Sequence, residues 1–238
     1  MSTYIDLDVS GASTMPGGEY GNVDISGAGK VEGNLRCTSL DISGAGKVFG
    51  DVVCEGDADC SGATRITGSL DAGSLDCSGS FTVEGYCTVQ GKLDASGAAK
   101  FQSALRANTV DAGGAFTCNG DVSAERFVSD GLCHIEGLLN AETVEMTLVG
   151  ENRIADIGGS RITVRSERRR HLLKSQNGRL YADSIEGDAV ELEYTEADVV
   201  RGKSVAIGPG CVIRRVEYTD SVFIDPKAEV GEKVRIQG

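Results

Sequence analysis

The sequence predicts an all-β chain wound as a parallel β-helix, a solenoid of three faces with 17–18 residues per coil and a second, smaller β-helical block or cap. Three observations predict it. A motif beginning DISGAGKVEGNL at Asp24 returns as DISGAGKVFGDV at Asp41, and then in looser copies from Asp59, Asp76, Asp94 and Asp111. Inside each copy apolar and polar residues alternate, which is the period of a strand. No useful stretch carries the i, i+3, i+4 apolar stripe of an amphipathic helix.

Counted from its aspartate, each coil repeats the same positions. Offset 3 is Gly27, Gly44, Gly62, Gly79, Gly97 and Gly114, with Gly131 in a further copy from Val128. Offset 7 is Val31, Val48, Ile66, Val83, Phe101, Cys118 and Ile135, and offset 11 is Leu35, Val52, Leu70, Cys87, Leu105, Val122 and Leu139. A period this short excludes helical repeats and propeller blades. At ~3.3 Å per residue it gives a perimeter of roughly 55–60 Å, with equivalent residues stacked ~4.8 Å apart along the axis. The offset-3 glycines are expected at Ser-Gly corners with positive φ, which costs little only for glycine. The offset-9 glycines, such as Gly33 and Gly50, are expected at a second corner or a close backbone approach.

Composition agrees. The chain of 238 residues has 33 Gly, 3 Pro and no Trp, and is 40% hydrophobic but 5% aromatic. This points to a thin core of Val, Ile, Ala and Cys and excludes collagen or a Pro-rich coil. Residues 1–150 hold 8 Lys/Arg and 21 Asp/Glu, whereas 151–238 hold 15 of each. Three regions are expected on this basis: an acidic, glycine-rich β-helix over 1–160, a basic loop or hairpin over 161–179, and a β-rich block over 180–238. The acidic region argues against nucleic acid as a partner. No apolar run reaches a membrane span, and the start MSTYIDLDVSG has no secretory pattern. A cytoplasmic location is expected.

The elements KVEGNL, KVFGDV, TVEGYC, TCNGDV and HIEGLL, and the stretch GDVSAERFVSDGLCHIEG over Gly120–Gly137, resemble the bactofilins, bacterial polymer-forming cytoskeletal proteins. The resemblance covers about residues 20–145. The C-terminal IEGDAVELEYTEADVVRGKSVAIGPGCVIRRVEYT is similar to extensions of bacillus-type members. The resemblance implies a right-handed β-helix and nucleotide-independent filaments scaffolding cell shape, wall synthesis, division or motility. It also implies a peripheral position at the inner face of the membrane, copolymerisation with a homologous bactofilin, and contacts with membrane-associated or cell-envelope proteins. The apolar N-terminal segment and Pro-rich tails of many bactofilins do not occur in these residues.

Catalysis would require a convergent acid, base and nucleophile. His134 sits at an outward strand position and His171 within the basic loop, so no enzyme is expected. An acyltransferase on a hexapeptide solenoid is disfavoured because the strict six-residue repeat is missing. The eight cysteines contain no C-x-x-C pair. Cys37 with Cys54, and Cys60 with Cys77, share offsets and are expected to stack as small buried hydrophobes. No cofactor is expected. The recurrent aspartates Asp24, Asp41, Asp59, Asp76, Asp94 and Asp111 are read as caps for corner N–H groups, with a calcium or pectate-lyase-like groove as the alternative.

A solenoid has open strand edges at both ends unless it is capped. The strand-like start predicts end-to-end self-assembly through Ile5, Leu7 and Val9, with Val230 and Ile236 at the far end. The basic segment, through Arg165, Arg168, Arg169, Arg170 and Lys174, is the expected contact for a partner protein, anionic lipid or acidic neighbour. The alternative reading is a monomeric β-helical module that binds a glycan or a metal.

Overall fold

A computed structural model of the chain describes residues 4–166 and 178–237. Among these residues there is no helix, and the backbone forms 21 strands whose registered pairings are all parallel. The chain is a β-solenoid, as the repeat predicts. It divides into two compact units, Met1–Gly120 and Asp121–Gly238.

In the first unit each coil supplies short strands to successive faces. The coil from Asp59, for example, contributes Ala63–Ile66 to one face. Its strand Leu70–Asp76 passes a register shift near Gly73 and serves the other two. Equivalent residues stand in register from coil to coil, so Val31 pairs with Val48, Val48 with Ile66, Ile66 with Val83, Val83 with Phe101 and Phe101 with Cys118. All six are fully buried. Further inward ladders run through Ile25, Ile42, Cys60, Cys77 and Ala95, and through Leu35, Val52, Leu70, Cys87 and Leu105. Burying each larger aliphatic side chain contributes about 1.5–3 kcal/mol. The thin core is therefore stabilised by repetition.

The offset-3 glycines are needed for a reason other than the expected one. Gly33, Gly150 and Gly210 are the glycines with positive φ among the described residues, and the offset-3 series is not among them. A Cβ at Gly44, Gly62, Gly79, Gly97 or Gly114 would instead collide with the carbonyl oxygen of the glycine one coil earlier. Adjacent corners approach so closely that a hydrogen is all that fits. Offset 9 divides: Gly33 has φ 109°, while Gly50, Gly68 and Gly85 press on the backbone of the preceding coil.

In the second unit the strands lengthen to Leu132–Leu148, Glu151–Ser166, Arg179–Leu192, Thr195–Ile207, Val212–Ile224 and Glu229–Arg235. Ile157, Ile185, Val200 and Val216 form one inward ladder, and Ile162, Val190, Val205 and Val222 another. The region boundary expected at residue 160 falls inside Glu151–Ser166. That strand pairs with Arg179–Leu192 from Glu151↔Arg179 to Val164↔Leu192. The 180–238 block therefore carries on the same solenoid as 151–166, and the basic segment lies between two paired strands. Of that segment, residues 167–177 lie outside the described residues, including Arg168, Arg169, Arg170, His171 and Lys174. Turns form at Gly208-Pro209-Gly210 and at Asp225-Pro226. In the second, Asp225 Oδ1 accepts from the Lys227 N–H at 2.8 Å.

Candidate functional site

The first strands of the first unit and the last strands of the second each leave a pairing edge unfilled. In the first unit, Leu7–Val9 pairs with Asn22–Ile25 and Ala12–Glu19 with Ala28–Cys37. Among the described residues neither strand has a partner on its other side. Ile5 is 79% exposed, Leu7 is half-buried and Val9 is buried. Of the predicted contact residues, Val9 thus belongs to the core of its coil, whereas Ile5 and Leu7 are available. Met15, in register with the fully buried Val31, is half-exposed. Pro16 withdraws one N–H donor from this edge.

In the second unit, Glu229–Arg235 pairs with Val212–Ile224 and, among the described residues, with nothing beyond it. Inward ladders run out here into partly exposed residues. Val205 and Ile207 are 2% and 0% exposed, yet their register partners Val222 and Ile224 are half-exposed. Likewise Ile213 is buried and its partner Val230 is not, whereas the Val216 ladder ends on exposed Lys233; Val234 follows the outward Glu217, and Ile236 is half-exposed. The predicted residues Val230 and Ile236 therefore lie at an uncovered end. Val222 and Ile224 join them, and ladder position was the signal that could have found them. Charged Glu229, Glu232, Lys233 and Arg235 stand beside these apolar residues and are exposed.

Along the outer surface of the second unit, charges alternate in sign from coil to coil. Glu186, Arg201 and Glu217 stand in register, with Arg201 3.0 Å from Glu186 and 2.7 Å from Glu217. Arg215 also contacts Glu217 at 2.7 Å and Glu232 at 3.2 Å. Lys203 meets Asp188 at 3.0 Å and Arg214 meets Asp198 at 3.2 Å. The Glu217 side chain is 10% exposed, and its hydrogen bonds to Arg201 and Arg215 hold its carboxyl below the usual 4.5. A depressed carboxylate pKa adds stability that is present above the ordinary value and lost as pH falls through the depressed one. Both arginines are more than a third exposed, so solvent screening limits the effect to about 1–2 kcal/mol. Glu217→Ala is expected to destabilise the second unit by that amount at pH 7. The deficit should shrink as pH falls below 4.5 through the depressed value, read by urea denaturation of wild type and variant at pH 7 and over that acid range.

The first unit carries one ladder that breaks this rule. Asp8, Asp24, Asp41, Asp59, Asp76, Asp94 and Asp111 stand in register on one face. The capping role expected for them is not formed, since among the described residues none accepts a corner N–H. Side chains at another corner do that work: Asn34 Oδ1 accepts from the Asp51 N–H at 2.9 Å, and Asp51 Oδ1 from the Ser69 N–H at 2.8 Å. The aspartates instead stack as like charges, at a cost of roughly 1 kcal/mol per adjacent pair at water's dielectric. Burial, with Asp94 and Asp59 beside it, raises the Asp76 carboxyl above its ordinary value. Lys92 relieves one end, 2.7 Å from Asp94 and 3.3 Å from Asp111.

All eight cysteines are free and buried. Cys37 and Cys54 stand in register, and burial pushes the Cys60 thiol up to about 12. Cys60 is thus a packing group with little thiolate. His134 is half-exposed, 3.9 Å from Glu136. Arg165 is exposed and lies 3.4 Å from Glu191. Among the described residues no three His, Cys, Asp or Glu side chains are grouped to hold a metal ion, and no helix is long and apolar enough to cross a membrane. A shallow groove of about 920 Å³ crosses the second unit past Arg153, Tyr181, Asp198 and Arg214.

Two Bacillus subtilis proteins are similar to part of the chain. Uncharacterized protein YhbF is 45% identical over 101 residues, which is 42% of each chain. Uncharacterized protein YhbE is 39% identical over 105 residues, 43% of this chain and 44% of its own. The chain thus matches under half the length of either relative. No family model and no solved structure matches.

Proposed function

We propose that this protein is a non-enzymatic scaffold that polymerises end to end, without nucleotide, into filaments of the kind its resemblance to the bactofilins implies. One observation carries the reading: inward ladders run out into half-exposed Val222, Ile224 and Val230 on a strand edge with no partner among the described residues. A further coil would bury those side chains and satisfy that edge, and another copy of the chain presents one. Such a filament acts as a cytoplasmic track, peripheral to the inner face of the membrane. It positions envelope or membrane proteins through Arg165 and the basic segment that follows, in shape, wall, division or motility processes. The sequence copies shared by a homologue would let it join the same polymer.

The N-terminal end supplies the test. Ile5→Lys with Leu7→Lys places two ammonium groups on residues that are already accessible, so the coil itself should stand. Rods seen by electron microscopy should shorten several-fold while the far-UV circular-dichroism β signal is unchanged. Rods of wild-type length would remove this end from the joint.

A further inference from the structure

The structure assigns the first unit a second contact surface: the aspartate ladder of one copy docks sideways on the lysine–arginine ladder of another. The proposal deepens the scaffold reading and rests on it for the rods that would be joined.

Two faces carry the argument. On the acidic face, Asp24, Asp41, Asp59 and Asp76 are in register, and among the described residues no cation forms an ion pair with them, although Lys92 lies near enough to Asp76 to attract it. The exposed hydroxyl row Ser26, Ser43, Ser61, Ser78 and Ser96 runs beside them. On another face of the same coils, Lys30, Lys47 and Arg65 stand in register, and the row passes through Thr82 to Lys100. Lys30 and Lys100 have no acidic partner among the described residues, Lys47 lies over the Phe49 ring at 4.4 Å, and Arg65 pairs with Glu84. Exposed Ala28, Ala45, Ala63, Ala98 and Ala115 form a flat shelf on one side of the cations, low enough for a neighbour's carboxylates to reach them.

Charge and spacing both select a second copy as the occupant. Both rows belong to one solenoid, so both repeat at ~4.8 Å, and two copies with parallel axes match carboxylate to cation over successive coils. Elsewhere the chain neutralises its charges from coil to coil, as Glu186, Arg201 and Glu217 show. The aspartate row keeps its repulsion, which a cationic neighbour would relieve. Each copy offers one acidic and one cationic face, so the contact is heterologous and extends into sheets of rods.

Salt separates this contact from the apolar end-to-end joint. Full-length rods at ~20 mM salt should lie side by side in electron micrographs and part into single rods at ~500 mM, where screening is strong. Asp41→Lys with Asp59→Lys and Asp76→Lys should leave single rods at low salt. Adding Lys30→Glu, Lys47→Glu and Arg65→Glu to that variant should restore pairing, which a merely misfolded chain could not do. Pairing that ignores salt, survives ladder reversal or is not restored by the double reversal overturns the proposal. If no sample forms rods, the scaffold reading fails by itself. Sedimentation of the chains then decides: a salt-sensitive dimer sustains the pairing and monomers at ~20 mM overturn it.

Discussion

Ile224→Lys combined with Val230→Lys is expected to replace rods by species of no more than two chains. Both residues are half-exposed in the chain, whereas Ile207 and Ile213, their partners one coil earlier, are 0% and 1% exposed. The substitution therefore costs the isolated chain little. In a joint that continues the ladders, the same positions become core, and each new ammonium must be buried without a partner or left to hold the joint open. A few kcal/mol per joint follows, which is a rise of more than 100-fold in the concentration needed to assemble. Sedimentation velocity checks this and also reads polarity. Monomers mean that every joint uses a C-terminal edge, and dimers mean that like ends meet and the N-terminal joint survives. Wild-type rods would show that this edge is not used.

Phe101→Ala is expected to have the largest effect on stability, about 3–5 kcal/mol in the first unit. Phe101 is fully buried between Phe81 and Phe116, with ring centroids at 6.0 and 5.4 Å. The three rings fit because Ala99 stands in register with both Phe81 and Phe116 and leaves the room they need. Removing the middle ring opens a cavity that a stiff stack of parallel coils cannot close, and breaks two aromatic contacts. A fall in melting temperature of about 10–20 °C should follow, measured by circular dichroism. A loss below about 1 kcal/mol would mean that the ladder is not packed as described.

The repeat made the inward ladders legible before any coordinates, because one offset names a whole row: Val31, Val48, Ile66, Val83, Phe101 and Cys118 are all buried. What it hid was the physical reason for a conserved-looking position within a coil. Glycine answers both a positive φ and a lack of space, and at Gly62 and Gly79 it answers the second. Aspartate beside Ser-Gly reads equally as a cap or as a stacked surface charge. The Glu217 clamp escaped because coils of the second unit vary, from Ile185↔Val200 to Ile135↔Ile154, so partners cannot be counted off by one period. The segment between Ser166 and Arg179 concealed the continuity of Ile157 with Ile185, 28 positions apart. The end residues Ile5, Leu7, Val230 and Ile236 were visible as strand-like apolar positions near the termini. Val222 and Ile224 required the register.

Electron microscopy of the purified full-length chain, in EDTA and without nucleotide, addresses the open-ended solenoid most directly. Unbranched rods many times longer than one chain are expected, with their length unaffected by the chelator. Uniform single particles at micromolar concentration, or assembly that appears only when calcium is added, would contradict it.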